Sequence, residues 1–96
     1  MLAKKHENIV GSVLAVCDKE HLGKTYEDEK ICFTVSEKFY SGEKVTKKQL
    51  LELIAEFSSV NMFGNKCVEI AEKEGLISET SIIKVKGIKH AQIYKM

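Results

Sequence analysis

The stretch I-I-K-V-K-G-I-K-H-A-Q-I-Y-K-M, residues 82–96, carries most of the information about the fold. Apolar and polar residues alternate on both sides of Gly87, which predicts two short strands joined by a tight turn. Alternate residues of a strand point to the same face of a sheet. One face of the second strand therefore carries an imidazole, an amide and a phenol in a row, from His90, Gln92 and Tyr94.

Earlier segments supply the rest of the predicted fold. Residues 9–17 form a nearly continuous apolar run, typical of a strand buried on both faces, and residues 31–36 alternate like a second strand. A first helix begins at the capping box Thr46 to Gln49. A second helix begins within residues 61–65 and ends at Gly75. The order is β-β-α-α-β-β, which predicts an α+β fold with a mixed or antiparallel sheet and two helices on one face.

The composition is that of one ordinary globular domain. The 96 residues suffice for a single core, and residues 1–8 are interpreted as a polar lead-in to it. A net charge of +1 gives no general attraction to nucleic acids or anionic lipids, and no apolar run is long enough to span a membrane. All fifteen cationic side chains are lysines, so contact with RNA would depend on point charges rather than on guanidinium forks.

The cysteine pattern predicts a reducing, cytoplasmic environment. Cys17, Cys32 and Cys67 contain no C-x-x-C pair and each lies within an apolar pattern, which predicts small, buried, reduced thiols. No set of residues has the spacing of a zinc site, and the Gly23-Lys24 pair lacks the earlier glycine of a phosphate-binding loop. We therefore predict no metal and no cofactor.

The terminal hairpin is the main candidate for a binding surface. Its mixture of lysines with an aromatic ring and an amide is typical of RNA-binding surfaces, in which rings stack on bases and lysines hold phosphates. The candidate residues are Lys84, Lys86, Lys89, His90, Gln92 and Tyr94, with Lys95 beside them. The same lysines could instead protect a solvated sheet edge against aggregation.

Other interpretations of the sequence stay open. His90 could act as a general base in a cleft near Ser36, Tyr40 or Asn61, which would make the protein a small-molecule enzyme. The chain could also be an interaction domain that forms a homodimer through an unpaired strand edge. Asn61 and Gly64 lie at the start of the second helix, where a glycine lets a ligand approach the helix amides. Capping by the asparagine and packing at the glycine are the alternative.

Four segments resemble a known family. They are V-C-D-K-E-H-L-G-K-T (16–25), V-S-E-K-F-Y-S-G-E (35–43), N-M-F-G-N-K-C-V-E (61–69) and G-I-K-H-A-Q-I (87–93). Between Ser12 and Tyr94 the chain is similar to a small archaeal family known as domain of unknown function 424. The resemblance implies a cytosolic archaeal α+β protein associated with translation components, which favours binding to RNA or to a ribonucleoprotein. It assigns no role to any residue.

Overall fold

Eight strands and three α-helices make up the described part of the chain, which is residues 1–8 and 11–94 without the side chain of Asn8, in a computed structural model. The strands are β1 (Leu2–Asn8), β2 (Gly11–Cys17), β3 (Thr25–Glu27), β4 (Cys32–Thr34), β5 (Glu43–Lys44), β6 (Ser59–Phe63), β7 (Ile83–Val85) and β8 (Ile88–Tyr94). The helices are α1 (Glu37–Tyr40), α2 (Lys47–Glu56) and α3 (Asn65–Lys73), with short 3-10 turns at Lys19–His21 and Glu79–Ser81.

Six of these strands form one mixed sheet in the order β5-β1-β2-β6-β8-β7. Within this sheet β2 and β6 are parallel, and the other neighbouring pairs are antiparallel. The short strands β3 and β4 pair with each other in a separate antiparallel sheet. The α+β class and the mixed sheet predicted from the sequence are confirmed, although the chain has more strands than the predicted order contains.

The six-stranded sheet separates two cores. On one face, which we call the α face, α2 and α3 pack against the sheet around Leu14, Val60 and Met62. The opposite face, which we call the β face, is covered in part by α1 and by the β3-β4 sheet around Phe63. The strand period explains this division, because residues 60 and 62 point one way and residue 63 the other. The two long helices lie on one face, as predicted.

The predicted lead-in, residues 1–8, is instead a full strand of the sheet. Strand β1 pairs with β2 along its whole length, from Leu2 opposite Cys17 to Asn8 opposite Gly11. Leu2 and Ala3 are buried in the two cores. The later residues of β1 are polar because this strand lies near the edge of the sheet, where both of its faces are only partly covered.

The first two strands seen in the sequence do not pair with each other. Strand β2 lies between β1 and β6, whereas β4 pairs with β3. Residues 9 and 10, the start of the predicted strand, lie outside the described residues. The central strand β6 was assigned from the sequence to the start of a helix. Phe63 lies at helical spacing from Cys67 and Ile70, so the helical pattern of α3 extends back into the strand and hides the boundary between them.

The helix boundaries follow local signals closely. At the start of α2, the Gln49 amide donates to Thr46 Oγ1 at 3.2 Å and the Thr46 amide donates to Gln49 Oε1 at 2.9 Å, which confirms the capping box. At the end of α3, Gly75 has a φ of 73°. Its amide donates to Glu72 O, and the Leu76 amide donates to Ala71 O, both at 3.0 Å. These two bonds form a Schellman motif, the predicted helix stop.

The cysteines are less uniform than the sequence indicates. Cys17 and Cys67 are buried, and burial raises the pKa of Cys17 to about 11 and that of Cys67 well above its usual value. Cys32, however, is exposed, because it lies on the outer side of the two-residue period of β4. The prediction that all three are buried thiols is therefore wrong for Cys32.

Candidate functional site

The terminal hairpin turns at Lys86 and Gly87. Both residues have positive φ, 53° and 77°, and the flanking residues Val85 and Ile88 pair with each other. Two consecutive residues of positive φ are the requirement of a type I′ turn, whose twist matches that of the strands. Lys86 therefore lies in the turn and not beside Lys84 on one face of β7, as the alternation suggested.

The two strand lysines of the hairpin point to the α face. Lys84 and Lys89 lie opposite each other in the β7-β8 ladder, in the same phase as the buried Ala91. Lys89 Nζ lies 3.2 Å from a carboxylate oxygen of Glu72 and 3.8 Å from one of Glu69, both on α3. The six residues predicted as one RNA-binding surface are thus divided between two faces and a turn. Lys95 lies outside the described residues.

The polar trio of β8 shares the β face, with exposure that increases along the strand. His90 is half-buried beneath Phe33, with 4.7 Å between ring centroids. Gln92 is exposed, and the Tyr94 side chain is 70% exposed. The Tyr94 hydroxyl donates to Gln92 Oε1 at 2.9 Å. The outer two side chains therefore face solvent, whereas the imidazole belongs to the core beneath the β3-β4 sheet.

A partly buried polar network holds His90 in place. Asn61 lies on β6 opposite Gln92, and its Oδ1 accepts hydrogen bonds from the Tyr40 hydroxyl and from His90 Nε2, the latter at 3.3 Å. Because Oδ1 can only accept, the ring proton of a neutral His90 is assigned to Nε2. Burial lowers the pKa of His90 and raises that of Tyr40, so both groups are neutral at pH 7.

These contacts change the role expected for Asn61 and Ser36. Asn61 is a strand residue within the network, not a residue at the start of the helix. Of the residues predicted to lie near His90 in a cleft, Tyr40 and Asn61 belong to this network, whereas Ser36 caps α1 by accepting the Phe39 amide at 3.3 Å. The depression that reaches His90, of about 260 Å³, opens toward the solvent-facing end of β8. It is lined by Ser81, Ile83, His90, Ala91, Gln92 and Tyr94.

The start of α3 is closed by a residue that the sequence did not identify. Asp18 is 3% exposed, and its two carboxylate oxygens accept the Lys66 amide at 2.9 Å and the Cys67 amide at 3.0 Å. A Cβ atom on Gly64, whose φ is 132°, would lie 2.4 Å from Asp18 Cγ. Glycine is therefore required for packing, and the helix amides that a ligand would have used already bind a carboxylate.

The sequence contained one signal for this contact. Asp18 and Gly64 belong to two of the segments that resemble the known family, but nothing in either segment says that they touch. Asp18, Glu20 and His21 also offer ligand atoms within 4.8 Å of one another. Two of them already have protein partners, since Asp18 caps α3 and His21 Nδ1 bonds the Tyr26 hydroxyl at 2.6 Å. This cluster is explained by the fold.

One part of the β face is not covered by any of the described residues, and we call it the open face. It consists of the solvent-facing end of β8 with the neighbouring edge strand, where Ile83 is 53% exposed. Among the described strand residues of the whole β face there is no carboxylate. The open face comprises Ile83, Gln92 and Tyr94, with Ser59 and Asn61 beside them and His90 at its inner end. It presents an aromatic ring, an amide and an aliphatic group without negative charge.

Comparisons with known proteins support the fold. The family model described as "Protein of unknown function (DUF424)" matches residues 7–96, slightly more than the range of the resemblance seen in the sequence. The crystal structure of an uncharacterized conserved protein from Methanopyrus kandleri has a TM-score of 0.78 and 26% sequence identity. The likeness covers 99% of this chain and 92% of that chain. No curated protein matches significantly. None of the helices within the described residues is both long and apolar enough to cross a membrane.

Proposed function

The chain belongs to the DUF424 family of proteins of unknown function, and we propose that it is a non-enzymatic module that binds single-stranded RNA in the cytoplasm. The RNA would lie on the open face, either free or as part of a ribonucleoprotein. Of the residues expected from the sequence to bind RNA, Gln92 and Tyr94 are kept as the groups that contact bases. Lys89 is left out because its ammonium group is held by the carboxylates of α3.

The exposed ring of Tyr94 is the observation that supports this proposal most. An aromatic side chain that is 70% exposed on a sheet surface offers a flat face to a nucleic-acid base. Stacking of this kind contributes about 1–3 kcal/mol per base and tolerates any base. The neighbouring amide of Gln92 can donate to and accept from a base edge, which would add a preference among bases.

The distribution of charge is compatible with a polyanion. The described strand residues of the β face carry lysines but no carboxylate, so no strand side chain there repels phosphate. Lys84 is exposed on the edge strand next to Ile83, with its side chain on the α face, and Lys86 is exposed in the hairpin turn, at the opposite end of β8 from Tyr94. In the proposed arrangement, phosphates reach these lysines where the RNA strand passes over the β7 edge of the sheet, whereas the ring and the amide contact bases on the open face.

Fluorescence anisotropy with a short single-stranded RNA tests the proposal. Tyr94→Ala should weaken binding by about 1–3 kcal/mol, and Tyr94→Phe should bind like the parent because it keeps the stacking ring. Lys84→Ala and Lys86→Ala should each reduce the slope of log K against log salt concentration by somewhat less than one. Each phosphate contact on a single strand contributes about 0.7 to this slope. Lys48→Ala, an exposed lysine on α2, is the matched control and should change neither quantity.

Two results would remove the RNA proposal. One is the absence of binding by the parent protein at low salt. The other is binding that Tyr94→Ala leaves unchanged, since the nucleic acid would then lie elsewhere. A further alternative is a protein partner that binds the exposed Ile83. In a pull-down from lysate, such a partner would remain bound after nuclease treatment and would be lost in Ile83→Ala.

A small-molecule enzyme is the second candidate, and one observation favours it. His90, Asn61 and Tyr40 converge, and the neutral imidazole keeps Nδ1 free of the proton assigned to Nε2. A base at Nδ1 would act on a ligand in the depression of about 260 Å³ at the open face. NMR of the imidazole signals during titration with metabolite mixtures tests this candidate. Shifts confined to His90 would favour it over RNA binding.

A further inference from the structure

The outer edge of β1 carries backbone groups that point away from the sheet. The Met1 carbonyl accepts the Val45 amide at 3.0 Å, so Met1 faces the neighbouring segment that contains β5. Residues of a strand direct their N–H and C=O groups alternately to the two sides. Lys5 and Glu7, in the same phase as Met1, therefore direct theirs outward, beyond the end of β5.

No strand within the described part of the chain covers this part of the edge. Strand β5 pairs with β1 at Leu2 and Ala3 alone, although β1 continues to Asn8. Among the residues that the structure describes, no partner bonds the outward groups of Lys5 and Glu7. A groove of about 350 Å³ lies where β5 ends, lined in part by Lys4, Lys5, Gly42 and Glu43. The outer edge of β1 is thus open to another strand.

The side chains along this edge are complementary to themselves. Lys5 and Glu7 are exposed and share the α face, because Lys5 lies opposite Leu14. If a second β1 runs antiparallel with His6 opposite His6, each Lys5 lies opposite a Glu7 of the other copy. The two pairs form four backbone hydrogen bonds and two cross-strand ion pairs.

The neighbouring registers are unfavourable. Backbone hydrogen bonds between the two strands form only in registers that place outward-pointing residues opposite each other. One strand can therefore shift along the other only by two residues at a time. A shift in one direction places Lys5 opposite Lys5, and a shift in the other places Glu7 opposite Glu7. Like charges directly opposite each other are destabilising. The sequence of the edge therefore selects the register centred on His6.

We propose that the chain forms a homodimer through this edge, with β1 of one copy antiparallel to β1 of the other and Lys5 opposite Glu7. The contacts of α1 are compatible with this pairing, because α1 contacts the side chains of β1 on the β face. There Lys4 Nζ donates to Lys38 O at 2.7 Å, and the His6 ring stacks on Phe39. The two sheets join into one, with both open faces on the same side.

Charge reversal and mixing provide a sharp test by sedimentation velocity over about a hundredfold range of protein concentration. The parent should show a monomer–dimer equilibrium. Lys5→Glu and Glu7→Lys should each weaken dimerisation by about tenfold or more, because both cross-strand pairs become repulsive. An equimolar mixture of the two variants should dimerise again, because each lysine then meets a glutamate of the other chain.

Three controls complete this test. The double variant Lys5→Glu/Glu7→Lys should dimerise like the parent, because the swap restores opposite charges. Lys48→Glu and Glu52→Lys reverse exposed charges on α2 and should leave the dimer unchanged. Circular dichroism verifies that every variant is folded. A parent that stays monomeric, single variants that dimerise as the parent does, or a mixture that does not recover would each overturn the proposal.

Discussion

The start of α3 and the open face look alike in sequence but differ in structure. Each combines a polar amide with small or aromatic neighbours, and each was predicted to bind a ligand. At the start of α3, Asp18 occupies the helix amides and leaves Gly64 no space for a side chain. On the open face, Gln92 and Tyr94 remain exposed. The comparison shows that a site whose sequence suggests ligand binding can instead be occupied by a side chain of the protein itself.

Gly64→Ala should have the largest effect on stability, because it disturbs the contact between Asp18 and the start of α3. The new Cβ would overlap the Asp18 side chain, and the φ of 132° is unfavourable for alanine. Overpacking costs about 1–3 kcal/mol and strain of this kind about 1–3 kcal/mol, so the free energy of unfolding should fall by roughly 2–6 kcal/mol. Urea denaturation measures the loss.

Gly75→Ala is the matched control for this substitution. Gly75 also has positive φ, 73°, but a Cβ there would meet no atom within 4 Å. Its cost should be limited to about 1–2 kcal/mol, the penalty of the left-handed conformation. If the two alanine variants were equally stable, the contact between Gly64 and Asp18 would not be a source of tight packing.

Asp18→Ala should have the next largest effect. It leaves the amides of Lys66 and Cys67 without their acceptor, one of them buried. Loss of a cap and of a buried acceptor should lower the free energy of unfolding by about 2–3 kcal/mol. Glu20→Ala, an exposed carboxylate in the same segment, should cost less than about 0.5 kcal/mol. Equal urea midpoints for these two variants would contradict the cap.

The pH dependence of stability should distinguish the half-buried His90 from the exposed Gln92. Burial lowers its pKa from 6.5 in the folded protein, so the unfolded chain binds a proton more readily. Stability should therefore be unaffected above pH 6.5 and should decrease as the pH falls from there toward the folded pKa. In His90→Gln this part of the decrease should disappear, whereas Gln92→Ala should keep it. Thermal melts from pH 5 to 8 are the measurement. An unchanged pH profile in His90→Gln would place the imidazole in solvent.

The sequence predicted the elements that depend on neighbouring residues. The capping box at Thr46, the stop at Gly75 and the terminal hairpin around Gly87 all involve contacts within a few residues. The candidate site was predicted only in part. The period of β8 correctly placed three side chains on one face, but it could not show that the first of them is half-buried and the other two exposed.

Longer contacts account for what was missed. Strand β6 was not recognised because Phe63 fits the helical spacing of α3, and β1 was not recognised because a strand near the edge of a sheet can be polar. The lysines of the hairpin were grouped with Tyr94 in one predicted surface, although the register of β7 on β8 places Lys84 and Lys89 on the α face, where Lys89 contacts α3.

By itself, therefore, the sequence determined the class of fold, the ends of the helices and the alternation along each strand, because these follow from interactions between residues close together in the chain. The tertiary structure decided which side chains stay available. Asp18 reaches Lys66 across 48 positions of sequence, and no local pattern encodes that contact. Burial by distant segments distinguishes the filled helix start from the open face, and pairing between distant strands leaves the outer edge of β1 free.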